Sequence, residues 1–564
     1  MIRNIVRILL LLIYPIIVLT TFLLIYRKKK YQETVRNNYK TIILNALIIE
    51  IVFYIFLFAF LSYEKTVYTW DYSGYWVKSL TLRELFINNP FEVLNGVFRS
   101  FNYSEYSDLF ALFSLPFTII NQSYWFYAIG NFTCFILPVF ILLEILYYTY
   151  FNRNKYLPLL TFIIFFPLYL PILDGKPFAG GMFFILAAFM LVIFQDFESI
   201  DYIDTISINF LTYLSVFERR WYVYSVIGLY VSFLIKYLFA YKKLNNKIKP
   251  IFTKLIPSGL ILFILLLTIN YPFVQNILNS DYKTAYTSAA HTGKIFDYID
   301  RYSILIIAIC CFGLYKMIKQ NLEFSLINII YIILTTAMFW YVQAFEDHHF
   351  YIAMLNMIFL FGYGFYHLFN IKFLNIILSV VLVTQSCLIY VNYPNIPLFT
   401  SKKRLIKRID YVGVYSDFCN YLLSIMNEND TVFLCGSSSI LNDDIIRSSI
   451  LPNIHAPNFE YAQYDMAGGF PNDLDKAKFM LITDPVQYIN PSLQRIYKVI
   501  SDAINNNDEF KDTYAFIDDY YIDSFVVHIY KREKEYTDSM RRFLYDEIIK
   551  YYPNNKEIFE DILN

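Results

Sequence analysis

TIILNALIIEIVFYIFLFAFLS (41–62) decides the class of this chain. A helix rising 1.5 Å per residue needs roughly 20 residues to cross a hydrocarbon core of about 30 Å, and this stretch supplies them with Glu50 as its one acid. Blocks of the same kind fall at 5–26, 124–150, 156–173, 178–195, 204–218, 222–241, 251–271, 302–318, 323–342, 350–369 and 373–392. The sequence therefore predicts about twelve transmembrane helices. Composition agrees, with hydrophobic residues at 57% of the 564 positions and charged residues at 17%. The short block 204–218 sits between Asp204 and Glu218, and a charge at a helix centre costs about 2.5–3.5 kcal/mol. The block 5–26 exceeds the roughly 7–15-residue core of a cleaved signal peptide and no small-residue cleavage pattern follows, so it is expected to remain as an anchor.

Net charge is zero, which gives no reason to expect nucleic acid as a partner. The basic residues instead orient the helices. RKKK (27–30) with Arg36 and Lys40, NRNK (152–155), KKLNNKIK (242–249), and Lys316 with Lys319 fall between alternate pairs of blocks, and the positive-inside rule assigns them to the cytoplasm. The external loops are then 63–122, 174–177, Arg219 with Arg220, 272–301, 344–349, and everything after about 393. Polar residues of the membrane half gather on that outer face: Asp71, Glu105, Asp108, Asp174, Lys176, Glu218, Arg219, Arg220, Asp281, His291, Glu346, Asp347, His348 and His349.

Residues 1–399 thus read as a multi-spanning domain whose first external loop covers about 63–122, and 400–564 as a soluble extracytoplasmic α/β domain. TVFLCG (431–436), FMLITD (479–484) and FVVHIY (525–530) have the length and apolar character of strands, with helical stretches near 492–505 and 536–550. GSSS (436–439) lacks the Lys and the spacing of a phosphate-binding loop and reads as an ordinary strand-to-helix turn. Cys134, Cys310, Cys311 and Cys387 lie in predicted spans as small hydrophobes, whereas Cys419 and Cys435 stand where a disulfide is permissible.

Four polar groups are candidates for chemistry. In TWDYSGYW (69–76), Asp71 is either the acid that ends the second helix inside an aromatic belt of Trp70, Tyr72, Tyr75 and Trp76, or a general base, a role worth about 10²–10⁴ in rate. FERRWY (217–222) sets two guanidinium forks on a face that disfavours cations, so Arg219 and Arg220 bind phosphate or pair with Glu218 or a loop acid. FEDHHFY (345–351) offers Glu346, Asp347, His348 and His349 to a metal or a phosphate, and adjacent histidines on a helix start cannot both face one site. DYKTAYTSAAHTGKIFDYIDR (281–301), opening with Asp281 and Tyr282, is a cap over a site or a solvated connector.

An outward Asp after an early helix, a long first external loop containing SLTLRELFINNPFEVLNGVF (79–98) and YSDLFALFSLPFTII (106–120), many further helices and an external C-terminal domain together resemble the GT-C superfamily. These are integral membrane glycosyltransferases that use polyprenyl-phosphate sugars, among them the protein mannosyltransferases and the lipid A aminoarabinose transferases of bacteria. WDYSGYW, YSEYSDL, ERRWYVY, EDHHFY and GGFPNDLDKAKFMLITDPVQY (468–488) also look similar to bacterial membrane proteins of GT-C type. The chain has WDY where the mannosyltransferases carry an Asp-Glu pair, and it has no clear His-Pro-Pro stretch.

The resemblance implies that Arg219 and Arg220, with Lys176, His348 or His349, hold the donor phosphate at the outer face of a bacterial inner membrane. Asp71 would deprotonate an acceptor glycan, lipid or protein in one inverting displacement, and Glu105, Asp281 and Tyr282 would shape the site. A divalent metal is optional in that chemistry, with Asp347, Glu346 or Glu105 as its ligands, and no organic cofactor is implied. The alternative is a polysaccharide polymerase, or a flippase or transporter of lipid-linked sugars, which should carry ionisable groups near the midplane of several helices. Glu50 and Glu144 are the main residues of that kind. A non-catalytic receptor would leave ERR and EDHH without a role. Few Gly with abundant Ile, Asn, Lys and Tyr suggest an AT-rich bacterial genome.

Overall fold

The computed structural model describes residues 2–63, 71–104, 107–151, 157–165, 168–173, 175–195, 200–241, 253–254, 256–279, 294–342, 347–369, 412–460, 474–488, 494–554 and 556–563, with isolated positions between 376 and 384. The chain forms two compact units, one of Met1–Tyr63 with Lys78–Leu405, the other of Glu64–Val77 with Ile406–Asn564. The expected boundary at 399 and 400 lies outside the described residues.

The helices up to residue 369 are α1 Ile2–Tyr26, α2 Lys29–Tyr63, α3 Asp71–Asn88, α4 Pro90–Tyr103, α5 Leu109–Ile120, α6 Tyr124–Asn131, α7 Leu137–Phe151, α8 Leu157–Ile164, α9 Leu170–Leu173, α10 Gly180–Ile193, α11 Tyr202–Glu218, α12 Tyr222–Tyr241, α13 Ile256–Ile269, α14 Tyr271–Asn279, α15 Lys294–Gln320, α16 Leu322–Val342 and α17 Tyr351–Phe369, all in the first unit except that residues 71–77 of α3 belong to the second. Among the described residues seven helices are long and apolar enough to cross a membrane, and Leu109–Ile120, Gly180–Ile193 and Ile256–Ile269 are apolar but shorter. The block expected at 156–173 is interrupted between α8 and α9, and 373–392 lies mostly outside the described residues. Within the stretch expected as the first external loop, Leu109–Ile120 is an apolar helix buried along most of its length.

All fourteen residues of α10 are buried, as suits a helix apolar on every side. It packs against α1, α7, α11, α12 and α17. By contrast α1 and α2 expose Leu12, Leu19, Ile43, Leu47, Ile51 and Phe58, the apolar outer surface that lipid would cover. Helices α15 and α17 touch backbone to backbone at Gly313 and Gly364, where any Cβ would collide with a carbonyl of the facing helix. A turn of π-helix, Phe132–Ile136, joins α6 to α7.

The second unit holds a five-stranded sheet in the order β2-β1-β3-β5-β4, from β1 Thr431–Cys435, β2 Asn458–Glu460, β3 Phe479–Asp484, β4 Tyr514–Ile522 and β5 Phe525–Arg532. β1 pairs in parallel with β2 and β3, while β5 runs antiparallel to β3 and β4. Alternation along β1 sends Phe433 and Cys435 to one core, with Ile496, Ile500 and Leu544, and Val432 and Leu434 to another, with Phe418, Leu422 and Ile446. Helices α18 Val412–Ile425 and α19 Asp443–Ser448 cover the second face, and α20 Ile496–Asn506 and α22 Asp538–Tyr551 the first, with the short α21 Asp508–Thr513 before β4. The three strands and both helical stretches expected from sequence are present, and β2 and β4 are additions.

Candidate functional site

Among the described residues between α8 and α10 the backbone runs through short turns rather than one helix, and tyrosines hold it. In lipid every backbone polar group needs a partner, and irregular backbone is tolerated only inside protein or along a water-filled cavity. Here the hydroxyl of Tyr351 donates to the Leu168 carbonyl at 2.9 Å, Tyr124 to Leu173 at 2.5 Å, Tyr127 to Gly175 at 2.6 Å and Tyr222 to Phe178 at 2.7 Å. Gly175 takes a positive φ of 77°, and the Lys176 amide then donates to the Pro171 carbonyl at 2.7 Å. This clamp fixes the turn that carries Lys176, which is itself buried.

The corner between α11 and α12 sits directly on the start of α10. Two glycines permit it: a Cβ on Gly180 would stand 2.6 Å from Glu218 Oε1, and one on Gly181 would enter the Tyr222 ring. Glu218 is fully buried at the N-terminal end of α10, where the helix dipole favours a negative charge. Its second oxygen, Oε2, has no hydrogen-bond partner among the described residues. Arg219 follows as the C-cap of α11, with its guanidinium carbon 3.8 Å from the centre of the Phe178 ring. A desolvated contact of this type is worth about 2 kcal/mol.

Rings then extend the site to α17. Trp221 lies edge-on to Phe178 at 6.1 Å and stacks on Tyr222 at 4.4 Å. The His349 ring stands 5.8 Å from Trp221 and 4.6 Å from Phe339. Ser225 Oγ donates to the Ile352 carbonyl at 3.0 Å, joining α12 to α17. Arg220 reaches the other way: it donates to the Ser104 carbonyl and lies 5.5 Å from the centre of the Phe273 ring. Phe101 packs on Phe217 at 3.9 Å and on Phe273 at 4.4 Å, and Asn270 donates to Asn102 at 3.1 Å. Lys176, Arg219, Arg220 and His349, chosen from separate stretches of sequence, thus belong to one end of the helical unit.

Asp71 is the first residue of α3, so it opens a helix, which removes the alternative in which it ends the second one and leaves the general-base reading open. The side chains of Asp71, Asp347 and His348 lie outside what the structure describes, as do Glu105, Asp174, Asp281, Tyr282, His291 and Glu346 altogether. Asp108 is matched by Lys78 at 2.8 Å. Among the described residues no group of three or more His, Cys, Asp or Glu side chains could hold a metal ion, and the metal candidates Glu346 and Asp347 are not among the side chains described. The sequence does not single out Phe178 or Phe339 and gives no role to Trp221 and Tyr222 within FERRWY, although Gly180-Gly181 signals a close approach there.

The opposite end of α11 is built from ion pairs. Asp201 caps the helix by accepting from the Asp204 amide at 2.7 Å and pairs with Arg27 at 2.8 Å. Lys28 pairs with the buried Asp204 and donates to Gln195 at 3.2 Å, and Lys254 donates to the Ile200 carbonyl. The basic stretch at 27–30 therefore packs on the chain around Gln195, Asp201 and Asp204.

In the α/β unit the GSSS turn spends its amides internally. Ser437 N–H donates to the Gln487 carbonyl at 3.0 Å and Ser438 N–H to Leu441 at 2.7 Å, leaving neither for a phosphate and bearing out the ordinary turn. Cys419 and Cys435 are both free and buried, in the cores on opposite faces of the sheet, so the permissible disulfide does not form. Burial raises the carboxyl pKa of Asp443 and Arg447, 3.6 Å away, opposes that rise. Comparison with protein-family models, curated proteins and solved structures finds no match for the chain.

Proposed function

We propose that the chain is an integral membrane glycosyltransferase of GT-C type that moves a sugar from a polyprenyl-phosphate carrier to an extracytoplasmic glycan, lipid or protein. The observation that carries this reading is the convergence of the DGKPF turn, the ERRWY corner and the His349 end of EDHHFY at one end of the helical unit. A guanidinium laid on the Phe178 ring has its planar fork held in one orientation, the geometry that bidentate phosphate binding uses. The leaving phosphate would bind Arg219, Arg220, Lys176 and one of His348 and His349. Asp71 would take the proton of the acceptor hydroxyl as its oxygen attacks the anomeric carbon, the bond from that carbon to the phosphate oxygen breaks, and the configuration inverts. The site would face outward from a bacterial inner membrane. Glu346 and Asp347 are the residues that would hold a divalent ion, and no step here depends on one.

A transporter of lipid-linked sugars is the second reading, and one observation favours it. Glu144 is fully buried between α7 and α2, where Asn45 donates to it at 2.6 Å and Tyr148 at 2.9 Å. Glu50 on α2 accepts from Tyr54 at 2.8 Å and from Thr133 in the π-helical turn. Intramembrane acids of this kind commonly mark ion pathways.

Purified protein offered a panel of radiolabelled polyprenyl-phosphate sugars separates the two. Transferase activity predicts sugar release that falls by about 10²–10⁴ in Asp71→Asn while folding is unchanged. Tight carrier binding without release, equal in both proteins, would replace the transferase with the transporter.

A further inference from the structure

The helical unit carries an apolar groove of about 410 Å³ between α1, α2 and α7, away from the candidate site and beside the ion-paired end of α11. Leu23 and Tyr26 line it from α1, Val35, Tyr39 and Ile42 from α2, and Ile145 from α7. Along α2 the composition changes at this place. Residues 29–40 read KKYQETVRNNYK, and from Thr41 onward the helix is apolar. The groove crosses that change, with tyrosines at the polar end, the level at which aromatic side chains meet lipid headgroups.

Charge supplies the second observation. At about 100° per residue, Lys29, Arg36 and Lys40 fall within about 40° of one another on α2, next to the stripe of Val35 and Tyr39 that lines the groove. All three are exposed. None makes an ion pair with a described residue, whereas the neighbouring Arg27 and Lys28 are matched by Asp201 and Asp204. Glu33, the one acid on that stretch, makes no ion pair with them either.

We infer that this groove is a binding site for an anionic phospholipid, with one acyl chain lying between α1, α2 and α7 and the headgroup phosphate on Lys29, Arg36 and Lys40. A basic segment beside a membrane helix attracts anionic lipid through its charge, and an apolar trough continuous with that segment gives the tail a fixed place. The inference stands apart from the proposed transferase, whose donor phosphate belongs at the other end of α11.

The test uses the full chain in neutral detergent, titrated with dioleoyl phosphatidylglycerol or with phosphatidylcholine of the same tails, and counts retained lipid by native mass spectrometry. The glycerol lipid should be retained roughly tenfold or more in preference to the choline lipid. Lys29→Gln with Arg36→Gln and Lys40→Gln should abolish that preference while thermal unfolding in choline lipid matches wild type. Val35→Trp, which fills the groove, should lower retention of both. Equal retention of the two lipids by wild type, or a preference that survives the triple substitution, would overturn the site. So would displacement of the glycerol lipid by equimolar polyprenyl phosphate, which would assign the groove to a carrier lipid.

Discussion

The two ends of α11 hold their cations differently. At the N-terminal end Arg27 and Lys28 meet Asp201 and Asp204, and each charge is answered by one of opposite sign. At the C-terminal end Arg219 lies on the face of Phe178, and Arg220 on a carbonyl and the ring of Phe273. An ion pair cancels a charge, while a ring and a carbonyl oxygen hold a guanidinium in place without cancelling it. The first arrangement ties helices together through opposite charges, and the second seats its guanidinium groups on rings and a carbonyl, at the end where the donor phosphate is proposed to bind.

Substitution at both ends puts this contrast at risk. Arg219→Ala with Arg220→Ala should weaken donor binding about ten- to hundredfold or more, since each charge-assisted bond to phosphate is worth about 1.5–3 kcal/mol. Equilibrium binding of a polyprenyl-phosphate sugar measures it, and unchanged affinity would remove the phosphate clamp. Lys28→Ala leaves Asp204 buried without its cation and should cost about 3 kcal/mol of stability with no change in donor affinity, checked by thermal unfolding in detergent. Between the ends in size stands Tyr127→Phe, which deprives the Gly175 carbonyl of its donor. A loss of about 1–2 kcal/mol is expected, together with weaker donor binding because the Lys176 turn loosens. The smallest effect belongs to Arg27→Ala: its pair with Asp201 is solvent-exposed, so the change should stay within about 1 kcal/mol. If Arg27 proved to matter as much as Lys28, depth of burial would not be what separates the two pairs.

Much of this architecture was legible in the chain because long apolar blocks and short apolar runs each have one physical solution. The block 156–173 was misread as continuous although Pro167 and Pro171 remove two backbone donors, a signal that helix-period counting passes over. β2 is three residues long, too short for a pattern. β4 is an edge strand, largely exposed, with an irregularity between Phe516 and Asp518, so its apolar residues do not alternate. In the site, charged residues announced themselves by being improbable where they stood. The rings that hold them did not, because aromatic residues make up 20% of the chain and one more Phe or Trp carries no information. Convergence of Phe178, Trp221 and His349 depends on helix packing between distant segments, which no local window contains.

The tyrosine clamp also sets an order of events during synthesis. The Leu168 carbonyl receives its hydrogen bond from Tyr351, 183 residues later in the chain. At about 5–20 residues per second that donor emerges roughly 10–40 seconds after its acceptor. Until then the Leu168 carbonyl lacks this donor, while Tyr124 and Tyr127 are already present for Leu173 and Gly175. The clamp is therefore complete only once α17 has been made, and an unpaired carbonyl in lipid before that point would need water as its partner.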